Sequence, residues 1–461
     1  MQLSEYLNIS KEITGKQLSE FLDFNIVKHS AHKGAIGDAF EEQVFNKKID
    51  NKSEADLDFF IDEYHPELLD YFNTDVKIEL KVTPAKQNKN GEYRSKERLV
   101  LSMIDYMEQH PDNFSDSHVY SKIKLMLIIY YLYDKNLSIQ EYTLLTSFFV
   151  NLDNHDLSIL ERDYQVIISK IRNGEAHLLS GSDTFYLEAC TKAANSSVTR
   201  KQPYSDIPAK PRAFALKNAY MSNLLNSALS EKLTPLHNER NDLEYIDKKL
   251  QPLIGMTLNE IIKQQNMSFD KEPKQLKSMV IRKVLNVTKN DMSDLSLFKN
   301  ADLGFKCVSA FPDGKKKEDI NFNAKIRADI VNTEWEDSDL HDVVNKVYFY
   351  CVFIHDRKDT KKSPIFAGYT FKGFTDDEII EAQEVWLDVK ESISNSEGDV
   401  PILPKASDGT LFFVRTKGIN AEKSTKPLTG EIKLPTRQWW LQTTVLNTEI
   451  IQPILDQFKK M

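Results

Sequence analysis

Cysteine is nearly missing from this 461-residue chain: Cys190, Cys307 and Cys351 are all it has. Three scattered thiols build neither a disulfide framework nor a cysteine zinc site, and they fit a reducing compartment. Glycine (15) and proline (16) are also sparse, which excludes a collagen-like chain and favours long regular elements. The longest apolar runs, Leu125–Tyr133 and Val347–Ile354, fall far short of the roughly 18–20 residues that span a bilayer. The opening MQLSEYLNISKEITGK has no apolar centre of the secretory-signal kind. The expectation is a bacterial cytoplasmic protein with no membrane partner. Hydrophobic residues make up 41% and charged residues 28%, ordinary for a globular chain, and the length suits two or three domains.

A net charge of −9 would argue against a nucleic-acid partner, but the charge is unevenly spread. Between Gly37 and Glu79 stand 13 acidic and 4 basic residues, a net of −9, so the rest of the chain sums to zero. Three basic stretches lie within that remainder. Lys81–Arg98 has six Lys/Arg against two acids, Cys190–Tyr220 six against one, and Val414–Gln442 six against two. Any one of these reads most simply as a solvated face. An acidic cluster abutting basic ribbons is what a metal site beside a phosphate track would look like.

A long internal repeat is visible. Ala189–Asn195 is echoed by Val414–Asn420, and Pro211–Lys217 by Thr436–Gln442. Lys192 thus pairs with Lys417 and Arg212 with Arg437, at one and the same spacing along the chain. Lys124–Asp134 is echoed by Lys346–Asp356 at nearly that spacing. Matches in one order at nearly one offset predict two domains of one fold, residues 1–230 and 245–461, joined through a polar, proline-broken stretch near 228–250. Helical spacing is expected over Gly34–Asn46 and strands over Thr74–Thr83, Arg98–Ile104 and Lys124–Tyr133, the last a buried central strand. A helix is expected over Phe214–Leu229. Strands and helices alternate, which indicates an α/β or mixed α+β class.

In Ile78-Glu79-Leu80-Lys81 the period of 2 puts a carboxylate and an ammonium on one strand face. Asp56, Asp58 or Asp75 offers a second acid, and Glu41 sits on or beside the apolar stripe of the preceding helix. Carboxylates of this kind hold Mg²⁺, a hard cation that takes oxygen ligands. The metal polarises a phosphate and activates water, and the lysine offsets developing charge. An exposed strand face with a cross-strand ion pair is the plainer alternative. The second copy bears on this choice: Lys306 follows Lys81 at the spacing of the repeat, but Gly304 stands where Glu79 would be. Glycine ligates no metal, so one domain keeps the acidic set and the other has lost it.

Lys33-Gly-Ala-Ile-Gly-Asp-Ala-Phe-Glu41, Ile78-Glu-Leu-Lys-Val-Thr-Pro84, Thr191-Lys-Ala-Ala-Asn195 and Pro211-Arg-Ala-Phe-Ala-Leu-Lys217 together resemble the MutH endonuclease family. Ser95–Leu101 and Gln202–Asp206 are similar to its two-domain, GATC-cutting type II restriction endonucleases of the staphylococcal kind. The resemblance implies two tandem restriction-endonuclease-like (D…ExK) domains, the second degenerate, cutting double-stranded DNA 5′ of the G of GATC with Mg²⁺ and no organic cofactor. It assigns catalysis to Glu41, Asp56, Glu79 and Lys81, with Glu41, Asp56 and Glu79 on the metal and Asp75 as second choice. The family's first aspartate precedes its glutamate by seven residues, a position held here by Phe72, and counting from Glu41 favours Asp56. DNA contacts are implied for Thr191, Lys192, Arg212 and Lys217, and by the repeat for Arg415, Lys417 and Arg437. Lys86 and Lys89 are candidates for phosphate. Cys190 and Ala215 replace an arginine and a tyrosine of MutH, so the base-reading set is altered.

The expected function is therefore a Mg²⁺-dependent type II restriction endonuclease with an N-terminal catalytic domain and a C-terminal inactive homologue that binds DNA as an effector domain. A mismatch-repair nicking enzyme and a non-catalytic DNA-binding protein are the alternatives. The duplicated domain weighs against the first, and intact Glu41, Glu79 and Lys81 against the second. A pair of chains acting together on the palindrome, or one chain nicking twice, both stay open.

Overall fold

The computed structural model describes residues 2–24, 34–47, 57–60, 75–88, 91–192, 198–230, 241–315, 319–326, 329–359, 361–396, 401–416, 437–441 and 446–460. The chain divides into two compact units, 1–179 with 184–240, and 180–183 with 241–461.

The first unit begins with α1 (Leu3–Ile13) and α2 (Ala35–Ala39), the latter continued by a π-helical turn over Phe40–Val44. Strands β1 (Leu57–Phe60), β2 (Asp75–Gln87) and β3 (Tyr93–Ser95) follow, then β4 (Leu99–Met103) and α3 (His118–Ile123). After these come β5 (Leu125–Leu132), β6 (Thr143–Asn151) and α4 (Asn154–Arg172). The unit closes with β7 (Leu187–Thr191), the ribbon β8 (Arg200–Gln202) and β9 (Ser205–Ala209), β10 (Arg212–Leu216) and α5 (Asn218–Leu229). The main sheet runs β1-β2-β5-β6 with β3 on β2, and a smaller one runs β4-β10-β7. β5 is the uninterrupted apolar strand, parallel to β2 and antiparallel to β6, and Met126–Tyr130 are at most 1% exposed. Two covered faces explain why its sequence does not alternate. On β2 the alternation survives: Ile78 and Leu80 join Ile36, Phe40, Leu125 and Leu127 in one core, and Glu79 and Lys81 point the other way.

The second unit opens with α6 (Asp242–Leu250), α7 (Leu258–Gln264), α8 (Leu276–Val284) and α9 (Ser296–Asn300). It continues through β11 (Gly304–Ala310), β12 (Ile320–Lys325), α10 (Asp339–Val344), β13 (Tyr348–Ile354), β14 (Ile365–Lys372) and α11 (Asp376–Ser394). β15 (Phe412–Thr416), β16 (Arg437–Leu441) and α12 (Gln452–Lys460) complete it. Its sheets run β11-β13-β14 and β12-β16-β15.

The repeat holds residue by residue. Lys81 lies opposite Ile128 across a parallel pair, and Lys306 lies opposite Tyr350 across the equivalent pair. Arg212 lies opposite Thr191, and Arg437 opposite Thr416. The β5–β6 ladder slips after Tyr130, and the β13–β14 ladder slips at the matching position, after Val352. α4 and α11 are both 19 residues long, and they start at Asn154 and Asp376, the same spacing that separates Tyr130 from Val352. The chain is thus a tandem of one mixed α/β fold.

Two expectations need correction. Phe214–Leu216 are strand, not helix, because β10 is wholly buried between β4 and β7, and the helix starts only at Asn218. The stretch expected as linker ends in α6, where the Asn241 side chain caps the N-terminus and Ile246 and Leu250 are buried at helical spacing. Residues 231–240 lie outside the described residues. No described helix is long and apolar enough to cross a membrane.

Candidate active site

Glu79 is a charged residue at the heart of the first unit, only 2% exposed. One carboxylate oxygen accepts from Lys81 Nζ at 2.6 Å, and the other from Lys122 Nζ at 2.7 Å. Lys81 comes from the same strand face, and Lys122 from α3, whose N-terminus is fixed by the Ser117 side chain accepting the Tyr120 N–H. The Lys122 side chain is 9% exposed. Two ammoniums about one carboxylate leave this triad with a net positive charge, in a setting dry enough that removing any member is costly.

Sequence reasoning does not single out Lys122. It is distant from Glu79 in the chain and reaches it only because β2 and β5 pair in parallel. One signal for it exists. Ser117 and Ser338 cap equivalent helices in the two copies, each accepting the N–H three residues on. Aligning the two caps puts Val343 where Lys122 stands, so Glu79 and Lys122 are both replaced in the second unit.

Glu41 lies just after Phe40, on the helical segment whose Ile36 and Phe40 pack with Ile78 and Leu80. Asp56 is outside the described residues, and the next residue, Leu57, opens β1 opposite Ile78. Asp75 is the first residue of β2 and Asp58 lies in β1, but their side chains are not described. Glu79 is a carboxylate of the type that hard divalent cations take, and in the structure its two oxygens are occupied by Lys81 and Lys122. A different cluster, Asp153, His155 and Asp156, has ligand atoms within 4.8 Å of one another. Its carboxylates already have structural work: Asp153 caps α4 by accepting the Asp156 N–H at 2.7 Å, and Asp156 accepts the Tyr220 hydroxyl at 2.7 Å.

The basic residues separate into two kinds. Thr191 and Lys192 are exposed at the end of β7. Arg212 is 3% exposed and its guanidinium donates to the carbonyls of Ala189, at 2.7 Å, and Leu179. Lys217 donates to the Thr184 carbonyl. These two cations buttress the strands that carry the exposed pair, a role that the charge pattern alone does not reveal. In the second unit Arg415 pairs with Asp319 at 2.6 Å and lies over the rings of Phe413 and Trp440. Trp439 is core at 1% exposure. Lys89 and Lys417 are outside the described residues, and the Arg437 side chain is not described.

The second unit has closed the equivalent of the Glu79 position. A Cβ on Gly304 would stand 2.1 Å from a ring carbon of Tyr348, so no glutamate fits there unless that ring moves. Lys306 has no carboxylate partner among the described residues. Its Nζ donates to the Asn321 carbonyl at 2.8 Å and lies 5.0 Å from the Phe322 ring centre. Burial pushes its pKa down from 10.5 to about 8. A cavity of about 620 Å³ opens beside Gly304, Lys306 and Tyr348.

The family model of the DNA mismatch repair enzyme MutH matches residues 67–163, the stretch that contains Glu79, Lys81 and Lys122. The type II restriction enzyme Sau3AI of Staphylococcus aureus is 30% identical over 391 residues, covering 81% of this chain and 76% of that enzyme. With the Glu79–Lys81 face inside the matched stretch and the likeness running through both units, the chain belongs to the MutH-like restriction endonucleases.

Proposed function

We propose that this enzyme hydrolyses both strands of double-stranded DNA at GATC, 5′ of the G, in a Mg²⁺-dependent reaction carried out by the first unit. The second unit binds DNA and does not cut it. The observation that carries the reading is the buried Glu79 between two ammoniums, on the strand face that the family model covers. Glu79 would hold the metal with Asp56 and Glu41, Asp75 being the alternative to Asp56. Bound there, the ion would polarise the phosphate and activate water for attack. Lys81, half-buried at the open side of the triad, orients the attacking water and offsets the charge that builds on the phosphate oxygens. Lys122 holds the Glu79 carboxylate in position. Thr191 and Lys192 reach base edges, and Arg212 and Lys217 keep their strands in register for that task.

GATC rests on the resemblance of Ser95–Leu101 and Gln202–Asp206, and the inactivity of the second unit on Gly304 and Val343. The test is methyl-free plasmid incubated with the protein in Mg²⁺, in Ca²⁺ and in chelator. GATC fragments with 5′ overhangs in Mg²⁺ only are expected. Nicked circles alone would turn the reading to a MutH-type nicking enzyme, and bound but intact DNA to a non-catalytic binder.

A further inference from the structure

The β8–β9 ribbon stands apart from both sheets of the first unit and follows directly on the segment that begins at Lys192. Its turn is Pro203-Tyr204. Tyr204 is 87% exposed and takes a φ of +58°, the left-handed region that favours glycine or asparagine. A large aromatic ring in water, on a backbone position that disfavours it, gains nothing for the fold.

The rest of the ribbon is firmly fixed. Gln202 is 5% exposed; its side chain accepts the Ala176 N–H at 2.7 Å and donates to the Ile207 carbonyl. The tip packs against Gly174 so closely that a Cβ there would stand 2.8 Å from the Tyr204 carbonyl oxygen. Tyr106 donates to the Lys210 carbonyl at 2.6 Å at the far end of the ribbon. The tip is thus held rigidly while its side chain projects outward. From Lys192 to Lys210 there are four basic residues and one acid, a net of +3. Arg200 and Lys201 are exposed beside the tip.

We propose that the β8–β9 ribbon enters the major groove of the DNA and that the Tyr204 ring packs against the groove wall there. The occupant is duplex DNA because the exposed Arg200 and Lys201 on the β8 side of the ring outweigh the exposed Asp206 on the β9 side, and the ribbon follows the exposed Lys192 in the chain. A two-stranded ribbon fits a groove about 12 Å wide. The proposal rests on the DNA-cutting reading and adds the element that enters the groove.

The test uses the full chain in Ca²⁺, with binding to GATC and scrambled duplexes measured across a salt series, and with thermal melting. Tyr204→Asn keeps a residue suited to the left-handed turn and removes the ring. It is expected to melt at or above the wild-type temperature and to bind GATC duplex about tenfold more weakly, with an unchanged salt slope. Tyr204→Phe is expected to bind like the wild type. Lys201→Ala is expected to flatten the slope by about one, as a phosphate contact does. Unchanged binding by Tyr204→Asn overturns the proposal and leaves the nuclease reading standing, as does a loss accompanied by a flattened slope. Wild-type protein that binds neither duplex overturns both.

Discussion

The two units are built on one frame and differ at its centre. Strand register, helix length, capping serine and even the slip in the central hairpin recur at nearly one spacing along the chain. At the centre, Glu79 and Lys122 become Gly304 and Val343, and the Tyr348 ring stands where a glutamate side chain would have to start. Lys81 has a counterpart in Lys306. A carboxylate between two ammoniums is stable as a set, so losing Glu79 removes the reason for Lys122, and an apolar replacement then costs nothing. Lys306 is the exception: a cation left behind after its carboxylate was lost. The frame therefore tolerates loss of the chemistry, and the chemistry can be probed without dismantling the frame.

That contrast can be broken most severely at Lys122. Lys122→Met should destabilise the first unit by on the order of 3 kcal/mol, because it strips a buried carboxylate of one of its two partners. Cleavage should fall as well. Val343→Met, at the equivalent position, should cost less than about 3 kcal/mol and leave single-turnover cleavage unchanged. Urea unfolding followed in parallel with cleavage checks both.

The division between buttressing and contacting cations is the next test. Arg212→Met leaves two buried carbonyls without a donor and should cost about 2–4 kcal/mol of stability. Lys192→Ala should leave stability within ~0.5 kcal/mol and weaken binding to GATC duplex by about 1–3 kcal/mol, with a much smaller loss on scrambled DNA. A uniform loss on both duplexes would make Lys192 a phosphate contact.

The smallest effect concerns Lys306, and its sign is opposite. Its folded pKa of about 8 lies below the unfolded 10.5, so the fold disfavours its ammonium. The penalty is full below about pH 8 and relaxes between pH 8 and 10.5, where the unfolded chain binds the extra proton. Lys306→Met should therefore stabilise the protein by about 1–2 kcal/mol at pH 7, the full shift being discounted for partial exposure, and the gain should shrink toward pH 10.5. A gain that does not change with pH would mean that desolvation of the ammonium is not its cause.

Much of this was legible in the sequence. β2 showed itself because only one of its faces is apolar, the other carrying the buried Glu79 and Thr83, and β5 because both of its faces are apolar core. The repeat was legible because charged residues recur at one spacing along the chain, and two of them, Arg212 and Arg437, hold equivalent places in the strand register, opposite Thr191 and Thr416. Lys122 was not, since a lysine on a short helix acquires meaning only when a parallel crossover brings that helix over Glu79. Arg212 and Lys217 read as DNA contacts because charge in a sequence says nothing of burial; their partners, the carbonyls of Ala189, Leu179 and Thr184, belong to the backbone. Phe214–Leu216 read as helix because they belong to a run of five buried residues that carries no period.

The central claim is that one unit cuts and the other does not, although both keep the lysine. Single-turnover cleavage of a GATC duplex by Glu79→Gln and by Lys306→Met, measured side by side in Mg²⁺ at saturating protein, tests it directly. The account predicts no detectable cleavage by Glu79→Gln with DNA binding within about tenfold of wild type, roughly 1.4 kcal/mol, and a wild-type rate for Lys306→Met. Cleavage by Glu79→Gln, or its loss in Lys306→Met with DNA still bound, would contradict the account.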